Sequence, residues 1–306
     1  MPELQAQPES VEEVKSALMG AGYLADEPAA LVSYLAQRLG KPILVEGPAG
    51  VGKTELAKAI SRSTGRRLVR LQCYEGLDEA KALYEWNYRK QLLSIQARAV
   101  SELEPAAVPK AELPPGEEIF SEDFLLTRPL LEAIAAEDPV VLLIDEIDKT
   151  DQEFEAMLLE VLSDFQISIP ELGVIEARTH PIVVLTSNNS RELTEALKRR
   201  CLYLWLDYPD VEREIEIVRL HSPELDARLA RRLVEVIQMI RKLDLKKPPS
   251  IAESIDWARA LLLLGADDID QALFQRTMSI IVKHRTDLVV VAERVGVHLE
   301  APVGAS

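Results

Sequence analysis

A glycine-rich segment of eight residues, Gly47-Pro-Ala-Gly-Val-Gly-Lys-Thr54, follows the apolar run Pro42–Val45 and precedes the helix-forming run Glu55–Ile60. This order predicts a strand, a loop and a helix. Glycine allows backbone angles and close approaches that a Cβ would block, so successive N–H groups in such a loop can point at phosphate oxygens. The amino end of the following helix adds a partial positive charge. The segment therefore predicts a phosphate-binding loop between a sheet and a covering helix.

Two residues of this loop have individual predicted roles. We expect Lys53 to bridge the β- and γ-phosphates of a nucleoside triphosphate and the Thr54 hydroxyl to ligate Mg²⁺. The alternative, a fortuitous glycine turn, is disfavoured by the flanking strand and helix. The predicted nucleotide-binding set is the loop and the residue after it: Gly47, Pro48, Ala49, Gly50, Val51, Gly52, Lys53, Thr54 and Glu55.

A second apolar run, Val140–Ile144, ends in Asp145 and Glu146. An uninterrupted apolar run is typical of a strand buried on both faces of a parallel sheet, and ligands bind at the carboxyl ends of such strands. We expect Asp145 to hold Mg²⁺ through water and Glu146 to orient and deprotonate the attacking water. Taken alone, such a strand is equally consistent with a structural role. The glycine-rich loop favours the catalytic interpretation.

Polar groups also flank two later apolar runs. His180–Leu185 leads into Asn188, whose amide can contact both the γ-phosphate and the attacking water; a simple turn is the alternative. Arg199 and Arg200 precede Leu202–Leu206. A guanidinium there can reach the γ-phosphate of a neighbouring subunit as an arginine finger, with a solvated basic surface as the alternative. We favour Arg200 for this role over Arg199.

The chain has 51 acidic and 35 basic residues, a formal charge of −16 over 306 residues. This charge repels a phosphate backbone unless the basic residues cluster, so we do not expect nucleic acid as a partner. No apolar run approaches the roughly 18 residues of a membrane helix, and the first residues lack a leader pattern, so we expect a cytoplasmic protein without an integral membrane segment. Cys73 and Cys201 are too few for a disulfide framework and are expected to be buried.

The strand-like runs stop at about residue 207, which predicts two domains. Residues 1–207 are expected to form an α/β nucleotide-binding domain, with an exposed insertion at about 98–116 and a β-hairpin at about 165–177. Residues 208–306 are expected to form a helical domain. Apolar residues recur there at helical spacing in four runs: Val211–Leu220, Leu225–Leu245, Ile251–Leu264 and Ile269–Lys283.

These features, in this order, resemble the AAA+ superfamily of P-loop NTPases and, within it, the MoxR group. The resemblance extends over nearly the whole chain, and its most specific segments after the loop are Leu142–Lys149, Leu185–Asn188 and Asp207–Pro209. It implies five parallel strands sandwiched by helices and a C-terminal helical lid. It also implies a homo-oligomeric ring, usually a hexamer, that binds ATP and Mg²⁺ between its subunits.

The resemblance further implies a function. MoxR-type ATPases are chaperone-like remodellers that hydrolyse ATP to mature or activate a client enzyme, often by inserting a metal or cofactor and often with a partner that carries a von Willebrand factor A domain. The segment Pro249–Arg259 is similar to the CoxD-like branch, which is linked to molybdenum hydroxylases. The alternative is a DNA-acting AAA+ ATPase, such as a clamp loader or helicase, which the negative charge disfavours. A GTPase would carry an Asn-Lys-x-Asp motif, which the sequence lacks.

The sequence departs from the family at the lid helix, which in many MoxR proteins begins Ser-Pro-Arg with an arginine that senses nucleotide. Here Ser250–Ala252 places alanine at that position. Arg259, about two turns later, is either a substitute or a surface residue. From the family layout, Tyr23 is expected to line the adenine pocket.

The segment 74–88 has two interpretations. Its position after the second predicted strand, Arg67–Leu71, is where AAA+ rings carry a pore loop, so its aromatic residues can grip a peptide. The helical spacing of Leu83 and Trp86, and of Tyr84 and Tyr88, instead indicates a helix packed on the core. The core interpretation is the favoured one.

Overall fold

The computed structural model describes residues 8–103, 120–170 and 172–299. Its strands are β1 (Ile43–Glu46), β2 (Arg67–Gln72), β3 (Tyr84–Trp86), β4 (Leu125–Thr127), β5 (Val140–Asp145), β6 (Gln166–Ile169), β7 (Gly173–Glu176), β8 (Ile182–Ser187) and β9 (Leu202–Trp205). Its α-helices up to β9 are α1 (Val11–Gly20), α2 (Glu27–Leu39), α3 (Lys53–Thr64), α4 (Glu79–Ala82), α5 (Tyr88–Leu103), α6 (Pro129–Ile134), α7 (Gln152–Asp164) and α8 (Glu195–Arg200). After β9 come α9 (Val211–His221), α10 (Ala227–Arg241), α11 (Ile251–Leu263), α12 (Gln271–Ile281) and α13 (Arg285–Leu299).

A five-stranded parallel sheet with strand order β2-β5-β8-β1-β9 forms the centre of the first part of the chain. Every residue of β5 and β8 is buried, as expected for central strands that helices cover on both faces. Alternate residues of β1 face opposite layers. Ile43 and Val45 pack with α1, α2 and α3, whereas Leu44 packs with α6 and α7. The predicted α/β fold with a sandwiched parallel sheet is confirmed.

The predicted hairpin is present, since β6 and β7 pair in antiparallel register and Ile167 and Ile169 are buried against the sheet's core. Of the predicted insertion at 98–116, residues 98–103 continue α5 and the remainder lies outside the described residues.

Within the described ranges, no helix combines the length and hydrophobicity needed to cross a bilayer. Of the two cysteines that were predicted to be buried, Cys73 is buried and Cys201 is half-buried. Burial raises the pKa of both thiols to about 12.

The helical spacing predicted within 83–88 is wrong, because Tyr84–Trp86 is a strand that pairs with β4. The core interpretation holds for two residues. Leu83 and Trp86 are buried, and the Trp86 ring packs edge-on against the Phe120 ring, with the ring centres 5.2 Å apart. Tyr88, by contrast, is 61% exposed. The pattern misled because a strand of three residues is too short to show its own period.

Helices α9–α13 enclose a hydrophobic core of their own. At its centre, Trp257 and Phe274 are fully buried with their ring centres 6.1 Å apart, and the Trp257 indole donates to the Thr277 hydroxyl at 3.0 Å. The four predicted helical runs correspond to α9–α12. Helix α13 was not predicted, and its run Val289–Val291 explains why, since consecutive β-branched residues are more typical of strands. A domain boundary after residue 207 stays a prediction.

Candidate functional site

Neighbouring chain segments approach the loop between β1 and α3 so closely that a side chain would not fit at two of its glycines. A Cβ on Gly47 would lie 1.9 Å from the carbonyl oxygen of Leu206, and one on Gly50 would lie 2.1 Å from the Cβ of Ser250. Gly50 and Gly52 have φ values of +79° and +99°, which residues with a side chain rarely adopt. Glycine is therefore required here by packing and by conformation, and the loop keeps its N–H groups free of side-chain obstruction.

Lys53, the first residue of α3, is buried within this loop. Its ammonium group donates to the carbonyl oxygens of Gly47 and Pro48, both at 2.6 Å. Burial lowers the pKa of Lys53, and the carboxylates of Asp148 and Asp145 oppose that shift. The structure thus places a cationic group in a loop whose geometry suits phosphate, as the motif predicts.

The Thr54 hydroxyl and the Asp145 carboxylate meet at the end of β5. Thr54 Oγ1 donates to Asp145 Oδ1 at 2.9 Å, and Thr186 Oγ1 donates to the same oxygen at 2.5 Å. The second carboxylate oxygen accepts from the Arg70 guanidinium at 2.5 Å. Asp145 is almost fully buried. A hydroxyl and a carboxylate side by side are oxygen ligands of the type that Mg²⁺ prefers, so these residues fit the metal.

Glu146 is held in a left-handed backbone conformation, with φ +60°. Its N–H donates to Thr186 Oγ1 at 2.9 Å, which helps to hold this costly conformation. The carboxylate accepts hydrogen bonds from Asn188 Nδ2 at 3.3 Å and from Gln72 Nε2 at 3.0 Å, and it pairs with Lys149. The structure therefore brings together Glu146 and Asn188, which lie 42 positions apart in the sequence.

Asp148 fixes the loop that carries Asn188. Its carboxylate accepts from the N–H of Asn188 at 3.2 Å and from the N–H and hydroxyl of Ser190 at 3.0 and 2.6 Å. Burial would raise the pKa of Asp148, but these hydrogen bonds outweigh it and lower that pKa. Because they favour the charged form, the native state is stabilised by an ionised Asp148.

This arrangement predicts a pH-dependent loss of stability. A lowered native pKa contributes stability that is present above the unfolded value of about 3.9 and lost as the pH falls through the native pKa. We expect Asp148→Asn to lower the free energy of unfolding by about 1 to 3 kcal/mol at pH 7, and by less near pH 3.5. Urea unfolding at both pH values measures this, with the exposed Asp138→Asn as control. An equal loss at both values would contradict it.

A cavity of about 860 Å³ opens in front of the loop, between the sheet and the helices that follow β9. The loop, Asp145, Glu146 and Asn188 line one end, and residues of α9 and α11 line the other. Tyr23 also lines it, and burial raises the pKa of its hydroxyl well above the ordinary value, so that the group stays protonated. Ala252 and Arg259 lie on the α11 side. The structure places the two predicted metal ligands, and all the predicted nucleotide-binding residues except Gly47 and Pro48, around one space.

Tyr23 is predicted to contact the nucleotide base. A packed aromatic ring contributes about 1 kcal/mol beyond the area that it buries, so Tyr23→Ala is expected to weaken ATP affinity by roughly tenfold or more. Tyr23→Phe, which keeps the ring, should bind nearly as the wild type does. Titration with a fluorescent ATP analogue measures both variants. Unchanged affinity in Tyr23→Ala would exclude this residue from the base site.

Arg199 and Arg200 lie outside this cavity, at the exposed carboxyl end of α8. The Arg200 guanidinium hydrogen-bonds Ser163 and donates to the carbonyl oxygen of Ala196 at 3.1 Å. A single chain does not bring this pair to the other predicted site residues. A role as an arginine finger toward a neighbouring subunit stays a prediction.

Three residues that reach Asp145 and Glu146 from the neighbouring strands were not predicted. Arg70 and Gln72 lie on the exposed face of β2, and the register that sets Gln72 opposite Asp145 carries them to the two carboxylates. The only sequence signal is that Arg70 and Gln72 alternate with the apolar residues Val69 and Leu71 in this strand. Thr186, whose hydroxyl joins Asp145 to the backbone of Glu146, follows an apolar run as Asn188 does.

Comparisons with known proteins agree with this geometry. Residues 43–204, more than half of the chain, match the model of the ATPase family associated with various cellular activities (AAA). The gas vesicle ATPase GvpN of Haloferax mediterranei is 24% identical over 249 residues, which cover 77% of this chain and 65% of that protein. Chaperone protein ClpB 2 of Parasynechococcus marenigrum is 33% identical over 143 residues, 46% of this chain and 13% of that protein.

The match therefore spans less than two thirds of the length of that gas vesicle ATPase. Among solved structures, a mutant form of RuvB from Thermotoga maritima aligns with a TM-score of 0.50 and 18% identity, covering 90% of this chain and 73% of that one. This likeness supports the fold. The family match extends from the first strand of the parallel sheet to its last. The chain therefore belongs to the AAA family of ATPases, whose enzymes use ATP with Mg²⁺.

Proposed function

We propose that this chain is a MoxR-type remodelling ATPase, which binds ATP between the loop at 47–54 and the lid and converts hydrolysis into movement of the lid. One observation carries the proposal. A phosphate-binding loop, a metal-ligand pair, and a carboxylate paired with an amide line the same cavity as helices α9 and α11. The cavity residues thus combine the chemistry of hydrolysis with elements that can move.

The residues divide the chemistry among them. The loop N–H groups and Lys53 bind the phosphates, and Thr54 and Asp145 would hold the metal. Mg²⁺ in that position neutralises charge on the β- and γ-phosphates. Arg70 and Thr186 hydrogen-bond Asp145 and so hold its carboxylate in one orientation. The carboxylate that would hold the metal is therefore positioned before ATP binds.

Glu146 acts as the base that takes a proton from the attacking water. Asn188 donates to Glu146 at 3.3 Å and, as an amide with both donor and acceptor atoms, can also orient that water. Asp148 fixes the backbone of Asn188 and thereby the amide. Arg200, or its neighbour Arg199, supplies the arginine finger to the adjacent subunit of a homo-oligomeric ring, most simply a hexamer.

The maturation role is the finer part of the proposal. We propose a cytoplasmic client enzyme, such as a metalloenzyme of the molybdenum hydroxylase class, and an accessory protein with a von Willebrand factor A domain. The segment Pro249–Arg259 and its likeness to the CoxD-like branch support this client class. Similarity to a relative that is named as a chaperone supports a remodelling function. Exposed Tyr74 and Tyr88 are candidates for client contact.

The test is capture of the client in its native cell. Tagged Glu146→Gln protein, which should retain ATP, is purified with Mg²⁺ and ATP, and copurifying proteins are identified by mass spectrometry. The matched control is the double variant Lys53→Ala/Glu146→Gln, which should not retain nucleotide. Recovery of a metalloenzyme and a von Willebrand factor A protein only with Glu146→Gln supports the proposal. Recovery of DNA-processing proteins would favour the DNA-acting alternative.

A further inference from the structure

A buried ion pair joins three helices of the lid. Glu214 in α9 is fully buried, and Arg241 at the end of α10 is nearly so. Two guanidinium nitrogens of Arg241 donate to the two carboxylate oxygens of Glu214, at 2.5 and 2.8 Å. Ser254 in α11 and Gln238 donate to the same carboxylate at 2.7 and 2.8 Å. This bidentate geometry fixes the plane of the guanidinium group.

The fixed guanidinium also contacts the two chain segments that lead into α9 and α11. Its central carbon lies 4.6 Å from the centre of the Tyr208 ring, a cation–π contact just before α9. Its Nε atom donates to the carbonyl oxygen of Pro249 at 2.7 Å. Pro249 precedes Ser250, which caps α11. Arg241 therefore sets the position of both segments.

Both segments hydrogen-bond the phosphate-binding loop. The Tyr208 hydroxyl donates to the carbonyl oxygen of Ala49 at 3.1 Å, and the N–H of Ile251 donates to that of Gly50 at 3.2 Å. Burial raises the pKa of the Tyr208 hydroxyl, so this group keeps its proton and remains a donor. Two successive carbonyl groups of the loop are thus held from the lid.

The planarity of the peptide bond gives these contacts a consequence. In a trans peptide the carbonyl and the following N–H point in opposite directions. Holding the carbonyl of Ala49 therefore orients the N–H of Gly50, and holding that of Gly50 orients the N–H of Val51. N–H groups of such loops bind phosphate oxygens, so the lid contacts set the direction of two phosphate donors.

We infer that Arg241 and Tyr208 are positioning residues that couple the phosphate-binding loop to the lid, so that nucleotide bound in the loop stabilises the lid through Ala49 and Gly50. The inference rests on the proposed ATP site. It supplies the coupling that the lid-helix arginine provides in many MoxR proteins, where this chain has Ala252. Arg259 is the competing residue. Its side chain is 58% exposed, and its Nη1 atom lies 4.0 Å from Oδ1 of Asp256.

The inference is tested by hydrogen exchange of the full chain with and without ADP, which requires no hydrolysis. In the wild type, ADP should slow exchange in α11. In Tyr208→Phe, which keeps the ring on Arg241 but loses the hydroxyl, ADP affinity should fall by no more than about tenfold. At saturating ADP, the protection that ADP adds to α11 should fall by about fivefold or more. Tyr34→Phe, which loses a hydroxyl contact at a residue that does not line the cavity, should behave as the wild type.

Comparison of the ADP-free samples separates coupling from simple destabilisation. A merely structural role of Tyr208 would change exchange in α11 equally without ADP. Such a result, or full ADP-induced protection in Tyr208→Phe, would overturn the inference. Loss of that protection in Arg259→Ala alone would overturn it in favour of Arg259. Failure of the wild type to bind ADP would instead overturn the proposed ATP site, and this inference with it.

Discussion

Replacing Glu146 by glutamine is expected to lower the rate constant of ATP hydrolysis by about 10²- to 10⁴-fold while ATP binding stays close to wild type. The amide has the shape of the carboxylate and can still contact Asn188 and Gln72, but it cannot take a proton from water. The loop, Lys53 and the metal ligands are unchanged, so the phosphates keep their contacts. Phosphate release measures hydrolysis, and calorimetric titration with ATP measures binding.

The matched control for this variant is Glu153→Gln, which neutralises an exposed carboxylate in the first turn of α7. That change should leave both quantities within about twofold of wild type, since exposed charges far from a site contribute little. Normal turnover by Glu146→Gln would remove Glu146 from its assigned role as the base. Loss of ATP binding in the same variant would instead assign Glu146 to the binding of nucleotide.

Replacing Lys53 by alanine is expected to weaken ATP binding by about 10²- to 10⁴-fold. The ammonium group lies inside the loop, within 2.6 Å of two loop carbonyls, where it can contact two phosphates. Each charge-assisted hydrogen bond contributes about 1.5 to 3 kcal/mol, so losing two accounts for that range. The same titration measures the affinity, and circular dichroism establishes that the variant is folded.

Lys53→Met provides a second variant that keeps the side-chain volume, in case the buried alanine leaves a destabilising space. The control is Lys41→Ala, an exposed lysine just before β1 that does not line the cavity. Folded Lys53→Ala and Lys53→Met proteins that bind ATP as the wild type does would contradict the assignment of the loop. Weak binding by Lys41→Ala as well would indicate a general effect of charge.

The parts of the site that the sequence predicted are those that depend on local chemistry. The loop at 47–54 needs its glycines because Leu206 and Ser250 approach its backbone, and that requirement is visible as a motif. The end of β5 shows its two carboxylates after an apolar run. Asn188 follows β8 in the same way, and the carboxyl ends of parallel strands share one edge of a sheet.

The parts that could not be predicted depend on register and on contacts between distant residues. Arg70 reaches Asp145 only because β2 pairs with β5 in one register. The ion pair of Glu214 with Arg241 joins residues 27 positions apart on two helices, and charge patterning within either helix does not reveal it. The strand at 84–86 and helix α13 were missed because short or β-branched runs carry no distinct helical or strand period.

The most direct test of the ATP site is ADP formation by the purified full chain at saturating ATP, with Mg²⁺ or with EDTA, over a range of protein concentrations. The structure and the family predict Mg²⁺-dependent ADP formation. If an arginine finger acts between subunits, the rate per chain should rise with protein concentration toward a plateau. A rate equal to that of Lys53→Ala at every concentration, with Mg²⁺ present, would contradict the assignment of this cavity as the site of ATP hydrolysis.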